Sequence, residues 1–228
     1  MLVIQNAPVS GPGRMGWWLR EAGLHPDVVR ACTGRPLPGL RRYRGLIVLG
    51  GGFLPDEDEH APWLPEVRRL VDQALQDGTP VLGICLGAQI LAHVAGGTVT
   101  AQHGEPEHGS TLIRLRPAAR QDALFGALPA VTPAIAHHID AITRLPPDAV
   151  WLADSRRCPY QAFRIGQYAW GVQFHPEASP TQIRCWDPVR AQGLDPDHLY
   201  EQARDHDPAA APVWRAFTHR YAQTLTHG

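Results

Sequence analysis

The chain contains no lysine: all 21 of its basic residues are arginine. That absence removes lysine Schiff-base chemistry, a lysine general base and the lysine of a phosphate-binding P-loop. An excess of charge of one sign is also missing. The 21 basic and 22 acidic residues leave a formal charge of −1. This argues against partners such as nucleic acid or an anionic membrane, whose binders carry a basic excess. No apolar run approaches the roughly 18 residues that suggest a membrane-spanning helix. The opening MLVIQNAPVSG has neither the basic start nor the long apolar segment of a signal peptide. It reads as a first strand, and a cytoplasmic location is expected. The four cysteines, Cys32, Cys85, Cys158 and Cys185, form no C-x-x-C pair. A zinc knuckle and a thioredoxin-type site are therefore disfavoured, and the thiols are expected to stay reduced.

What is present describes a folded α/β chain. At roughly 150 residues per domain, 228 residues make one large domain or two small ones. With 44% hydrophobic residues, and 22 glycines and 22 prolines spread along the chain, it reads as a globular protein with many turns. Leu2–Gln5 and residues 27–31, 46–49 and Val81–Ile84 are short, apolar and strand-like. Residues 15–22, 63–76 and 86–95 carry apolar residues at helical spacing. Trp17 and Trp18 are adjacent, so at most one can be fully buried in a regular helix. The order of these elements predicts a parallel sheet covered by helices on both faces. Further strands are expected at 98–101, 111–115, 149–153, 160–165 and 168–174, with a hairpin turn at Arg164-Ile165-Gly166-Gln167. Residues 176–212, rich in proline and aspartate, read as a long loop. A last helix carries Trp214, Phe217, Tyr221 and Leu225 on one stripe.

The most informative segment is Gly83-Ile84-Cys85-Leu86-Gly87, between a buried strand and a helix. This is the G-x-nucleophile-x-G elbow with cysteine in the place of serine. The sharp turn needs small neighbours, which Gly83 and Gly87 supply. The helix N-terminus favours thiolate, and the backbone N–H of Leu86 is placed to donate to an oxyanion. Taken alone, a cysteine here could equally be a small buried hydrophobe. Among the 12 histidines, His175 stands out as the base such a thiol needs. It ends an apolar strand and is followed by Pro176 and Glu177, a carboxylate able to orient the ring. In doubly wound sheets such groups collect at the C-terminal strand edge. The glycines 50–52 also follow a strand there.

GICLGAQILA around Cys85, together with GVQFHPE ending at Glu177, resembles the class I (triad) glutamine amidotransferases, in their stand-alone, GMP-synthase-like branch. LVLGGGF, AGGTV, Glu107-His108-Gly109 and His138-Ile139-Asp140 extend the resemblance over nearly the whole chain. It implies one α/β domain over residues 1–228. Its mostly parallel central sheet would be flanked by helices in a flavodoxin-like topology, with residues 178–228 forming a loop and helix packed upon it. It implies a Cys85–His175–Glu177 triad that cleaves the γ-carboxamide of glutamine, or a γ-glutamyl amide, through a thioester. The implied oxyanion donors are backbone N–H groups of Gly51, Gly52 and Leu86. Gln89, one turn after Cys85, is implied in holding the glutamyl group, with His138 and Asp140 at the substrate end. Where the family turn often reads Gly-Gly-Pro, this chain has Gly50-Gly51-Gly52-Phe53.

No cofactor and no metal are expected. His103, His108, His137, His138 and Asp140 lack the spacing of an H-E-x-x-H site. Asp56-Glu57-Asp58-Glu59 and the Arg41, Arg42, Arg44 group read as solvated surface. Three functions remain open. An ammonia-supplying amidotransferase would need a partner, a separate synthase subunit. A dedicated γ-glutamyl peptide or amine hydrolase would act on its small-molecule substrate alone. A non-catalytic binding or regulatory protein could use the same fold.

Overall fold

The computed structural model describes residues 1–186 and 193–225. Its frame is a nine-stranded sheet in the order β2-β1-β3-β4-β11-β10-β9-β6-β7. The strands are β1 (Leu2–Gln5), β2 (Asp27–Arg30), β3 (Leu46–Val48), β4 (Val81–Ile84), β6 (Glu107–Leu115), β7 (Val131–His138), β9 (Val150–Asp154), β10 (Ala162–Ile165) and β11 (Ala169–Val172). From β2 to β11 neighbours run parallel. That order, two-one-three-four-five along the chain, is the flavodoxin-like one. From β11 to β7 they run antiparallel. A separate ribbon pairs β5 (Thr98–Thr100) with β8 (Ala141–Arg144).

Strand alternation sends side chains to two cores. Leu2, Ile4, Leu46, Val48 and Val81 face α2 (Leu64–Asp77) and α3 (Leu86–Val94). Val3, Ile47, Leu82 and Ile84 face α1 (Gly13–Glu21) and the C-terminal helix. Helix α2 buries Leu64, Val67, Leu70, Val71 and Ala74 and ends at Gly78, whose φ of 66° suits a left-handed cap. In α1, Trp18 is buried while Trp17 is 69% exposed, as adjacency requires.

The chain after residue 97 departs from its expected reading in four places. One is β8, which has no counterpart among the expected strands because its run is only four residues long and ends at Leu145-Pro146-Pro147. Strand β7 has no counterpart among the expected strands, because Pro133 and a pair of histidines interrupt its apolar character. It is an edge strand, where a missing N–H is tolerated, and the Pro133 carbonyl accepts the Trp214 indole N–H at 2.8 Å. Strand β6 begins at Glu107 rather than 111, because full pairing with β7 holds its polar first half extended. The expected loop at 176–212 instead contains α4 (Pro180–Ile183) and most of α5 (Pro196–Thr224); its portion 187–192 lies outside the described residues. Helix α5 tolerates Pro208 and Pro212 in its interior. Each removes one backbone donor, but the helix is anchored beyond them. Trp214, Phe217 and Tyr221 are buried, each contributing about 1.5–3 kcal/mol, and Tyr221 Oη donates to the carbonyls of Leu46 and Pro80.

Among the described residues, no helix is long and apolar enough to cross a membrane.

Candidate active site

Cys85 sits between β4 and α3 with φ 52° and ψ −110°. A β-carbon at positive φ is strained, at a cost of about 1–3 kcal/mol. The strain is held in place from both sides. The Cys85 N–H donates to the Val172 carbonyl of β11 at 2.8 Å. The elbow also closes with no room to spare, since a Cβ on Gly83 would collide with the Gly87 carbonyl, and one on Gly87 with the Val48 carbonyl. Leu86 opens α3, so its N–H has no acceptor within the helix.

His175 and Glu177 follow β11. The His175 N–H donates to the Ile135 carbonyl at 2.7 Å, tying this turn to β7. His175 Nδ1–H donates to Glu177 Oε1 at 2.7 Å, and both side chains are nearly fully buried. Among the described residues His175 Nε2 has no hydrogen-bond partner. Burial by itself would lower the imidazole pKa. The Glu177 carboxylate and Cys85 outweigh it, and the pKa is raised above its ordinary value.

Two glycine segments set these distances. Gly50 lies between the pair: a Cβ there would stand 3.0 Å from His175 Cε1 and 3.4 Å from Cys85 Cβ. Asn6, fully buried, fixes the same turn by donating Nδ2–H to the Leu49 carbonyl at 2.8 Å. Gly13, at φ 46°, lies so close to Glu177 that a Cβ would collide with its carbonyl oxygen, which accepts the Arg14 N–H at 3.0 Å. The run Gly11-Pro12-Gly13-Arg14-Met15-Gly16 has dinucleotide-fingerprint spacing, but its close approach is to the Glu177 backbone.

Two clefts meet at Cys85. A narrow one of about 20 Å³ is lined by Gly51, Gln89, His108, His137, His138 and Asp140. A wider one of about 210 Å³ is lined by Ala7, Val9, Gly52, His137, His175 and Trp186. The substrate-side residues expected from the sequence thus gather at one cleft. Gln89 Nε2–H donates to the Asp140 carbonyl at 3.2 Å and to Gln173 Oε1 at 3.4 Å. Asp140 Oδ1 accepts the Gln102 N–H at 3.0 Å. His138 Nε2 is bonded to Glu107 Oε2 at 3.2 Å, so its ring offers the cleft a wall rather than that nitrogen.

Several contributors carry no assignment from the sequence. Gln173 is fully buried and its Nε2–H reaches Cys85 Sγ at 3.8 Å; a lone polar residue in an apolar strand run is its signal. Glu107 collects Ser155 Oγ–H at 2.7 Å and Gln161 Nε2–H at 2.5 Å besides His138. His137 shares a 3.0 Å Nδ1–Nδ1 hydrogen bond with His108 and stacks on Trp186 with centroids 4.6 Å apart. Burial, then the charges of His138 and Arg157, lower the His108 pKa. These contacts join partners far apart in sequence and have no local pattern.

Among the described residues, Glu107, His138 and Cys158 bring possible metal-ligand atoms within 4.8 Å. Burial and then the Glu107 charge push the Cys158 thiol up to about 12. The Glu107 oxygens are already engaged by Ser155, Gln161 and His138.

The family model described as glutamine amidotransferase class-I matches residues 19–185. The chain is 34% identical over 167 residues to a Thermoplasma acidophilum protein named as one subunit of a glutamine-hydrolyzing GMP synthase, covering 72% of this chain and 77% of that one. It is 35% identical over 163 residues to the glutamine-hydrolyzing GMP synthase of Streptococcus equi subsp. zooepidemicus, covering 70% of this chain but only 29% of that longer protein. A solved glutamine amidotransferase from Thermotoga maritima superposes with a TM-score of 0.87 at 26% identity, over 97% of both chains. With this agreement of sequence and fold, the chain belongs to the class I glutamine amidotransferase family.

Proposed function

We propose that the chain hydrolyses the γ-carboxamide of glutamine through a γ-glutamyl thioester on Cys85. The observation that carries this reading is the strained elbow cysteine facing the same cavity as His175, whose other nitrogen is bonded to the buried Glu177. In this reading the Cys85 sulfur attacks the γ-carbon, and His175 passes the thiol proton to the leaving nitrogen. Glu177 keeps the ring oriented and stabilises imidazolium. The N–H groups of Leu86 and of Gly51 or Gly52 receive the oxyanion. Water then adds to the thioester, releasing glutamate and returning the proton to sulfur. Gln89, Asp140 and His138 line the cleft assigned to the glutamyl end. At about 20 Å³ that cleft holds little more than a water.

The Thermoplasma relative is named as one subunit of its synthase, which supports a role for this chain in supplying ammonia to a separate synthase chain. Glutamine turnover, followed by ammonia release, tests the chemistry. Cys85→Ala is expected to abolish it, and 6-diazo-5-oxo-norleucine is expected to label Cys85 alone. Residual turnover above a few percent in the variant, or labelling at Cys32, Cys158 or Cys185 instead, overturns the assignment.

A further inference from the structure

We propose that the wider cavity beside Cys85 is a leaving-group subsite for an amine with an uncharged aromatic substituent, walled by Trp186. The preferred substrate is then a γ-glutamyl arylalkylamide or anilide, with glutamine a slower substrate of the same thioester chemistry. The inference rests on the thioester reading above and names the substrate class of that same site.

Size is the first observation. The cavity measures about 210 Å³. Ammonia, close to water in size, fills only roughly 10–15 Å³ on that scale. Position is the second. Gly51, Cys85 and His137 border both clefts, whereas Gln89 and Asp140 border only the narrow one and Trp186 only the wide one. A γ-glutamyl amide whose carbonyl carbon lies at Cys85 therefore projects its amine substituent toward Trp186. Chemistry is the third. Trp186 stacks on His137 at 4.6 Å and 25° and tilts across His175 at 4.9 Å and 49°, forming a continuous aromatic surface from the cavity wall to the catalytic base. Ala7 and the 55%-exposed Val9 extend it. No aspartate, glutamate or arginine lines the cavity among the described residues. Among the described residues a carboxylate or phosphate on the leaving amine would meet no arginine there, whereas an aromatic ring finds both stacking and edge contacts.

The step balances without a co-reactant other than water. The Cys85 sulfur–carbon bond forms, the amide carbon–nitrogen bond breaks, and the thiol proton moves through His175 Nε2 to the departing nitrogen. Water then supplies hydroxide to the acyl carbon, the sulfur–carbon bond breaks to release glutamate, and the remaining proton returns to the sulfur.

The test compares kcat/KM of the purified chain on γ-glutamyl-benzylamide, glutamine and γ-glutamyl-glutamate. Benzylamine has no activated leaving group, so a faster rate reports binding. The benzylamide is expected to exceed glutamine by about tenfold or more, with γ-glutamyl-glutamate slowest. Trp186→Ala should lower the benzylamide-to-glutamine ratio by about tenfold, and Trp186→Phe should retain most of it. Val9→Arg probes the same wall at an exposed position and should raise the γ-glutamyl-glutamate rate relative to the benzylamide. A wild-type benzylamide-to-glutamine ratio of one or less overturns the subsite, as does a ratio and charge preference unmoved by Trp186→Ala and Val9→Arg. Absence of Cys85-dependent turnover on all three compounds overturns the thioester reading, and the subsite with it.

Discussion

His175 and Glu177, two residues apart in sequence, are joined by a 2.7 Å hydrogen bond between nearly fully buried groups. Glu177→Gln keeps the size and a hydrogen-bonding oxygen but removes the charge. In the proposed mechanism kcat should fall by about 10²–10⁴-fold, and the alkaline limb of the pH–rate profile should move to lower pH as the imidazolium loses its counter-charge.

The same pair makes a separate statement about stability. The folded pKa of His175 is raised above 6.5. Its contribution is therefore fully present below about pH 6.5 and is lost as pH rises through the raised folded value. Urea midpoints of wild type and Glu177→Gln should differ most at and below that pH and converge as it rises. Parallel curves across the range would show that the carboxylate does not set the histidine's protonation.

The elbow backbone predicts a gain of stability with loss of function. Cys85 holds φ 52°, a region open to glycine at little cost. Cys85→Gly should eliminate turnover yet raise the unfolding free energy by about 1 kcal/mol, while Cys85→Ala should be inactive without that gain. Destabilisation of the glycine variant in denaturant melts would argue against strain at this residue.

Gly50 offers a test of geometry by itself. An added methyl would press on His175 Cε1 at 3.0 Å and Cys85 Cβ at 3.4 Å. Gly50→Ala should cut kcat by about 10²-fold, the penalty for a misplacement near 1 Å, with a smaller effect on KM. A change confined to KM would mean that position 50 touches substrate and does not space the two side chains.

Sequence alone was enough for those features that chemistry writes locally. The apolar runs at Leu2–Gln5, Leu46–Val48 and Val81–Ile84 must be buried on both faces, which makes them central strands. Gly83 and Gly87 flank Cys85 because the turn has no room for a Cβ, so the elbow was legible from spacing. Tertiary structure decided what depends on distant partners. Strand β7, despite Pro133, and helix α5, despite Pro208 and Pro212, form because long-range packing outweighs a poor local preference. Gln173 reaches Cys85 Sγ, and His137 and Trp186 reach the cavities beside it, only when β11, the end of β7 and the segment after α4 converge there. No local rule encodes a contact whose free energy arises from burial between elements tens of residues apart.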